Sequence, residues 1–211
     1  FYRDEGLVRS QQMFSDLNRY AIKPTRSINI LFNSREESSI VAKKVIEDVD
    51  VFKGLVEKER TAISNRSKAL FTLSAICTAT NELLSGIDLP LQKKISLAEK
   101  YWNAVGTHIP EWQKVKAGEL KSSDVRRDYI CSLSLTLVAL GFAGNALVKM
   151  PLDKWENYLK NLDSIDWRKT NPVWENLVFV NGRVAANRST QRTMSCYMKN
   201  VLLETVGMEN G

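Results

Sequence analysis

One histidine and three cysteines are the natural starting points for chemistry in this chain. Acid–base catalysis by a histidine would have to use His108, whose place between Gly106 and Pro110 predicts a solvated ring in a loop. Cys77, Cys131 and Cys196 are odd in number and far apart, which is neither a disulfide framework nor a zinc ligand set. Each lies in an apolar run, so all three are expected to be buried as small core residues. Sulfur transfer needs an accessible thiolate, and none of the three fits that need. A carboxylate-only metal cluster could draw on Glu156, Asp163 and Asp166, but residues at this density are expected to cap helices and solvate loops. No HExxH, CxxC, GxGxxG or GxxxxGK followed by Ser or Thr occurs. The expectation is a chain that is not an enzyme, with no catalytic residue, no metal site and no cofactor. Its unpaired thiols predict a reducing, cytoplasmic compartment.

Contact with anions is the chemistry the sequence does offer. Lys and Arg number 30 against 24 Asp and Glu, a net charge of +6 with a pI of about 9.2. That excess leans toward nucleic acid or phosphate. The basic side chains gather in three places. Arg9, Arg19, Lys23 and Arg26 flank a turn at Asn18 and Pro24, where Asn18 either caps the turn or reaches a base edge, the cap being favoured. Lys121, Arg126 and Arg127 precede a long uncharged run. There a helix N-terminus could hold a phosphate, although Asp124 opposes this and an exposed first turn is the simpler reading. Arg183, Arg188, Arg192 and Lys199 form the third group, and Glu175 is the only acid between Lys169 and Lys199. Arg188, Arg192 and Lys199 share one face of a helix, and Gly182 beside Arg183 lets backbone approach closely. A phosphate-binding surface competes here with a solvated polar face. Trp155, Trp167 and Trp174 could stack bases, but packing is the expected role.

These residues must be positioned by helices. Hydrophobic residues make up 44% of the 211, and Gly (10) and Pro (5) are too scarce to punctuate a multi-stranded sandwich. Phe1 to Gly6 reads as the end of a strand entering a turn at Gly6, and a helix follows over residues 7–21, stopped by Pro24. Residues 28–32 are a short strand or a helix start. Ser34 and Glu37 suggest a capping box for a helix over 35–53. Residues 54–65 read as an exposed connection or short hairpin. Helices are expected over 67–84, from Pro90 to 105 and from Pro151 to 159, with a polar connector over 110–124 between the last two. Residues 163–172 read as a loop. A further helix is expected over 172–180, and a last one over 190–206. Tyr129–Val148 holds no charged residue and could just span a bilayer. Ser132, Ser134, Thr136 and Asn145 within it, and Gly141 and Gly144, weigh toward a buried central helix with a close crossing instead. The fold class is mainly α, an irregular bundle of about six to nine helices.

A resemblance adds to this reading. Ser10–Pro24, SQQMFSDLNRYAIKP, resembles the segment that follows the DGQHR motif in DndB-like members of the DGQHR-domain family. Asn181-Gly182-Arg183 and the stretch from Arg188 to Lys199 resemble the end of such chains. The resemblance implies that residues 1–33 are a remnant of an upstream ParB-like α+β domain and that residues 34–211 are the helical C-terminal domain. The DGQHR signature itself is absent, and the chain is expected to be a fragment. The family implies a place in DNA phosphorothioate modification, where sulfur replaces a non-bridging backbone oxygen. The chemistry is assigned to partner proteins, and DndB-like chains act as transcriptional repressors. The expected partners are double-stranded DNA at the promoter of its own operon, other DNA sulfur modification proteins and a second copy of the chain, with no membrane. The competing reading is an interaction or dimerisation module with no DNA contact of its own. A nuclease or nucleotide hydrolase is a third, disfavoured by the missing motifs.

Overall fold

The computed structural model describes residues 3–19, 23–185 and 187–204, and their side chains except those of 3–5 and 17–19. The protein is mainly helical. In chain order, α1 (Arg3–Arg19), α2 (Arg26–Phe32) and α3 (Glu37–Asp48) lead into a short parallel pairing of β1 (Val56–Glu57) with β2 (Phe71–Thr72). Then come α4 (Leu73–Leu83), α5 (Leu91–Thr107), α6 (Pro110–Lys116), α7 (Ser122–Asp128), α8 (Ser134–Leu147) and α9 (Trp155–Leu159). The antiparallel hairpin of β3 (Phe179–Val180) and β4 (Arg183–Val184) precedes α10 (Arg188–Leu203).

The uncharged run is the centre of the fold. α8 is apolar all round, as a helix surrounded by protein must be, and it packs between α4 and α10. A Cβ on Gly141 would stand 2.0 Å from the Ala79 carbonyl oxygen of α4, so the two backbones cross in contact. A Cβ on Gly144 would run into the Tyr101 ring of α5, whose hydroxyl donates to the Leu140 carbonyl. Asn145 donates to the carbonyls of Leu83 and Ser85, each at 2.8 Å, which ties the C-terminal end of α8 to that of α4. The two helices therefore run parallel. No helix among the described residues is long and apolar enough to cross a membrane.

Aromatic residues fill the space beside this centre. Phe71 meets Trp112 edge-on at 5.0 Å, and Phe52 bridges Phe71, Trp102 and Trp112. Trp167 stacks on Trp174 at 6.2 Å, and Trp174 in turn packs against Tyr197 of α10. Trp155, Trp167 and Trp174 are all buried, so packing, not base stacking, is their role.

Several expectations are corrected. Arg3–Gly6 is already helical, which removes the turn at Gly6; Phe1 and Tyr2 lie outside the described residues. Of the two readings left open for residues 28–32, the helix is the one that forms, within α2, with Thr25 capping it through the Ile28 amide. The Ser34–Glu37 box does not form. Asn33 Oδ1 instead accepts from the amides of Arg35 and Glu36, and α3 ends at Asp48. Residues 71–72 are extended before α4, because the Leu55 carbonyl accepts from the Leu70 and Phe71 amides. The connector over 110–124 contains α6 and α7, seven residues each, too short for a periodic signal; Trp112 and Val125 bury them. Tyr129–Leu133 is not helical, since residues 128–130 pair with residues 167–169. Residues 172–180 form a 3-10 turn, Pro172–Trp174, and then a strand.

Candidate nucleic-acid interface

The parallel run of α4 and α8 brings their first turns side by side. At that end opens a cleft of about 280 Å³, whose wall includes Ser74 and Thr78 of α4 and Ser134 of α8. Arg26 at the start of α2, Thr61 of the loop before β2, Thr72 at the end of β2 and Gln191 in the first turns of α10 complete its polar lining, and Ala75, Leu135 and Val138 line its apolar side. No acidic residue lines it among the described residues. Thr78 sits one turn after Ser74 and donates to its carbonyl at 2.8 Å; Thr72 Oγ1 lies 3.3 Å from Ser74 Oγ and accepts from the Ala75 amide. The loop is held over the cleft from below. Thr25 and Ser27 donate to the carbonyls of Glu59 and Arg60.

α10 begins beside this cleft with a capping box. Asn187 Oδ1 accepts from the Thr190 amide at 3.0 Å, and Thr190 Oγ1 accepts from the Asn187 amide at 3.2 Å. Its first turn has no acid and carries Arg188. A cation at a helix N-terminus opposes the helix dipole, and only a nearby anion reverses that penalty. Arg188, Arg192 and Lys199 all lie exposed, while Thr190, Met194, Met198 and Leu202 face the core. Before the helix, Asn181 (φ 52°) and Gly182 (φ 71°) form the two-residue turn of the β3–β4 hairpin, where left-handed backbone is required. Gly182 has open space around it, so its service is the turn and not a close approach; Arg183 is exposed on β4.

The three basic groups thus meet different fates. From the first, Arg26 lines the cleft, and Arg9 and Lys23 are exposed; Asn18 falls within α1, and its side chain and that of Arg19 lie outside the described residues. None of the third group's basic residues is among those lining the cleft; Gln191, between Arg188 and Arg192 in the chain, shares it with Arg26. No ion pair among the described residues involves Arg26, Arg183, Arg188, Arg192 or Lys199.

The second group is structural. Arg126 Nη2 donates to the carbonyls of Ser64 and Asn65 at 2.9 and 3.2 Å, and Nη1 to those of Ser67 and Ala69. Burial lowers its pKa from the ordinary value. Arg127 is paired with Asp128 at 2.7 Å and with Asp124 at 3.1 Å, and those contacts, the Asp128 hydrogen bond first, raise its pKa. Neither presents a free guanidinium to a phosphate.

Two further expectations change. His108 is buried, not solvated. Its Nδ1 lies 3.0 Å from Asp163 Oδ1 and its Nε2 3.3 Å from Glu156 Oε2, so both ring nitrogens are engaged in tying α5 to α9 and the turn after it. Cys196 is exposed on α10, whereas Cys77 and Cys131 are buried, and burial pushes both of those thiols up. The sequence holds little signal for the cleft: Ser74, Thr78 and Ser134 look like ordinary hydroxyls within apolar runs, and only their i, i+4 spacing marks one side of α4.

The fold and site define a mainly helical protein with a polar cleft that no acidic residue lines among the described residues, and with exposed basic side chains along α10. The family model of DndB, described as DNA-sulfur modification-associated, matches residues 1–205, and the chain belongs to that family. Its role accordingly lies in the DNA sulfur modification system, in agreement with the resemblance at residues 10–24. No curated protein and no solved structure matches the chain.

Proposed function

We propose that the chain is a DNA-binding regulator, a transcriptional repressor, of the phosphorothioate modification system, contacting double-stranded DNA at the promoter of its own operon. The observation that supports this most is the set of exposed basic side chains Arg188, Arg192 and Lys199 on α10 and Arg183 on the hairpin before it, none of them in an ion pair among the described residues, together with Arg26 in the cleft that Gln191 of α10 also lines. Guanidinium groups that pair with no acid among the described residues are suited to backbone phosphates, and exposed amides and hydroxyls on α10 supply donors for base edges. The modification chemistry belongs to partner proteins in this reading.

A second reading rests on a different observation. Leu7, Val8, Met13 and Phe14 of α1 are 58–70% exposed, and Phe32 is 78% exposed. Apolar surface of that kind suits an interaction module that docks on another protein or on a second copy.

Fluorescence anisotropy with the promoter duplex and a scrambled duplex, across a salt series, separates the two. DNA binding through this face gives a slope of log K against log salt of about −0.9 per phosphate contact. Arg188→Ala and Arg192→Ala each reduce the slope by about one. Preference for the promoter supports regulation. Absence of binding to either duplex at low salt refutes the DNA reading and leaves the interaction module.

A further inference from the structure

We propose that the cleft between the first turns of α4 and α8 is a binding site for a single phosphate-class oxyanion. Its lining has the inventory of such a site and lacks that of others. Arg26 is the one cation among the described residues of the wall, and its guanidinium makes no hydrogen bond or ion pair among them. A planar fork of donors matches two oxygens of a phosphate at once. Thr61, Ser134 and Gln191 come from three different elements, line the same space and make no side-chain hydrogen bond among the described residues. Ser74 adds a fourth hydroxyl or amide donor, held against Thr72. With no carboxylate among the described residues of the wall, a metal ion or an amine finds none of these side chains to neutralise it, so the electrostatics favour an anion. A volume of about 280 Å³ is at the low end for small-molecule sites, which suits a phosphate with a small substituent and not a large planar ligand.

The phosphate can belong to the DNA backbone or to a small phosphorylated molecule. The recognition chemistry is the same, and the site stands whether or not the basic face around it holds DNA. The test is a titration of the ¹⁵N-labelled protein with inorganic phosphate, with chloride at matched ionic strength as the control. The expected result is saturable shifts at the amides of Thr61, Ser74, Ser134 and Gln191 that chloride does not produce. Arg26→Gln, which removes the charge on an exposed side chain, weakens the phosphate affinity about tenfold, and Ser134→Ala weakens it less, both with unchanged circular dichroism. A parallel arm adds phosphate to the protein–duplex complex. Displacement of the duplex beyond the chloride effect assigns the site to a backbone phosphate. Saturable binding without displacement, or with no duplex binding at all, assigns it to a small phosphorylated molecule. Shifts that never saturate, that centre on Arg183, Arg188 and Lys199 and spare Thr61, Ser74 and Ser134, or that persist unchanged in Arg26→Gln overturn the proposal.

Discussion

Two residues of one type, adjacent in the chain, illustrate how a side chain's meaning depends on its partners. Arg126 spends its two terminal nitrogens on carbonyls of the loop 64–69, and Arg127 is held by two aspartates. Arg188 and Arg192 are the same residue type with none of these partners, at a helix start where an anion would be welcome. The cysteines divide in the same way. Cys77 and Cys131 are 3% and 0% exposed and carry thiols raised by burial, while Cys196 stands on the open face of α10. Since the thiolate is the reactive form and must be reached, iodoacetamide is expected to label one cysteine in the native protein, Cys196. Labelling of all three should appear only in denaturant. Mass spectrometry of the labelled peptides checks this, and native labelling of Cys131 would contradict the packing of that region.

At the scale of elements, short structures here are held by specific caps more than by length. α10 starts in a reciprocal Asn187–Thr190 box, directly after the hairpin that presents Arg183. Asn187→Ala removes one half of the box and is expected to cost about 1 kcal/mol of stability. Urea denaturation measures it, and a loss well below a few tenths of a kcal/mol would show that the packing of α10 against the core holds the helix start without the box. α10 itself was legible beforehand as a helix over 190–206, and the spacing of Arg188, Arg192 and Lys199 marks one of its faces; the structure adds that Met194, Met198 and Leu202 are the buried ones. α6 and α7 were not legible. Seven residues give fewer than two turns, and polar residues dominate both, so only the burial of Trp112 and Val125 against distant elements explains them.

For the whole molecule, the crossing of α4 and α8 decides where everything else sits. Gly141 allows it, and a methyl group there meets the Ala79 carbonyl, which no side-chain rotation can relieve. Gly141→Ala is expected to destabilise the protein by about 1–3 kcal/mol or more. The same shift would splay the first turns of the two helices and disturb the cleft. A thermal melt paired with the phosphate titration checks both consequences. A variant of unchanged melting temperature would mean that the two helices separate at little cost.

Helical class, the central place of the uncharged run, the basic character of the C-terminal stretch and the family kinship were all readable from residues in order, because each is carried by local periodicity, composition or a contiguous motif. The partners of individual side chains were not. Arg126 meets a carbonyl 62 residues away, His108 a carboxylate 55 residues away, and the cleft draws its lining from five separated segments. Such meetings follow from how helices cross, and a crossing is set by the joint packing of α4, α8 and α10. For that reason the tertiary structure alone decided which arginines are structural, that the only histidine is a buried tie, and that Arg26 and Gln191 face the same space.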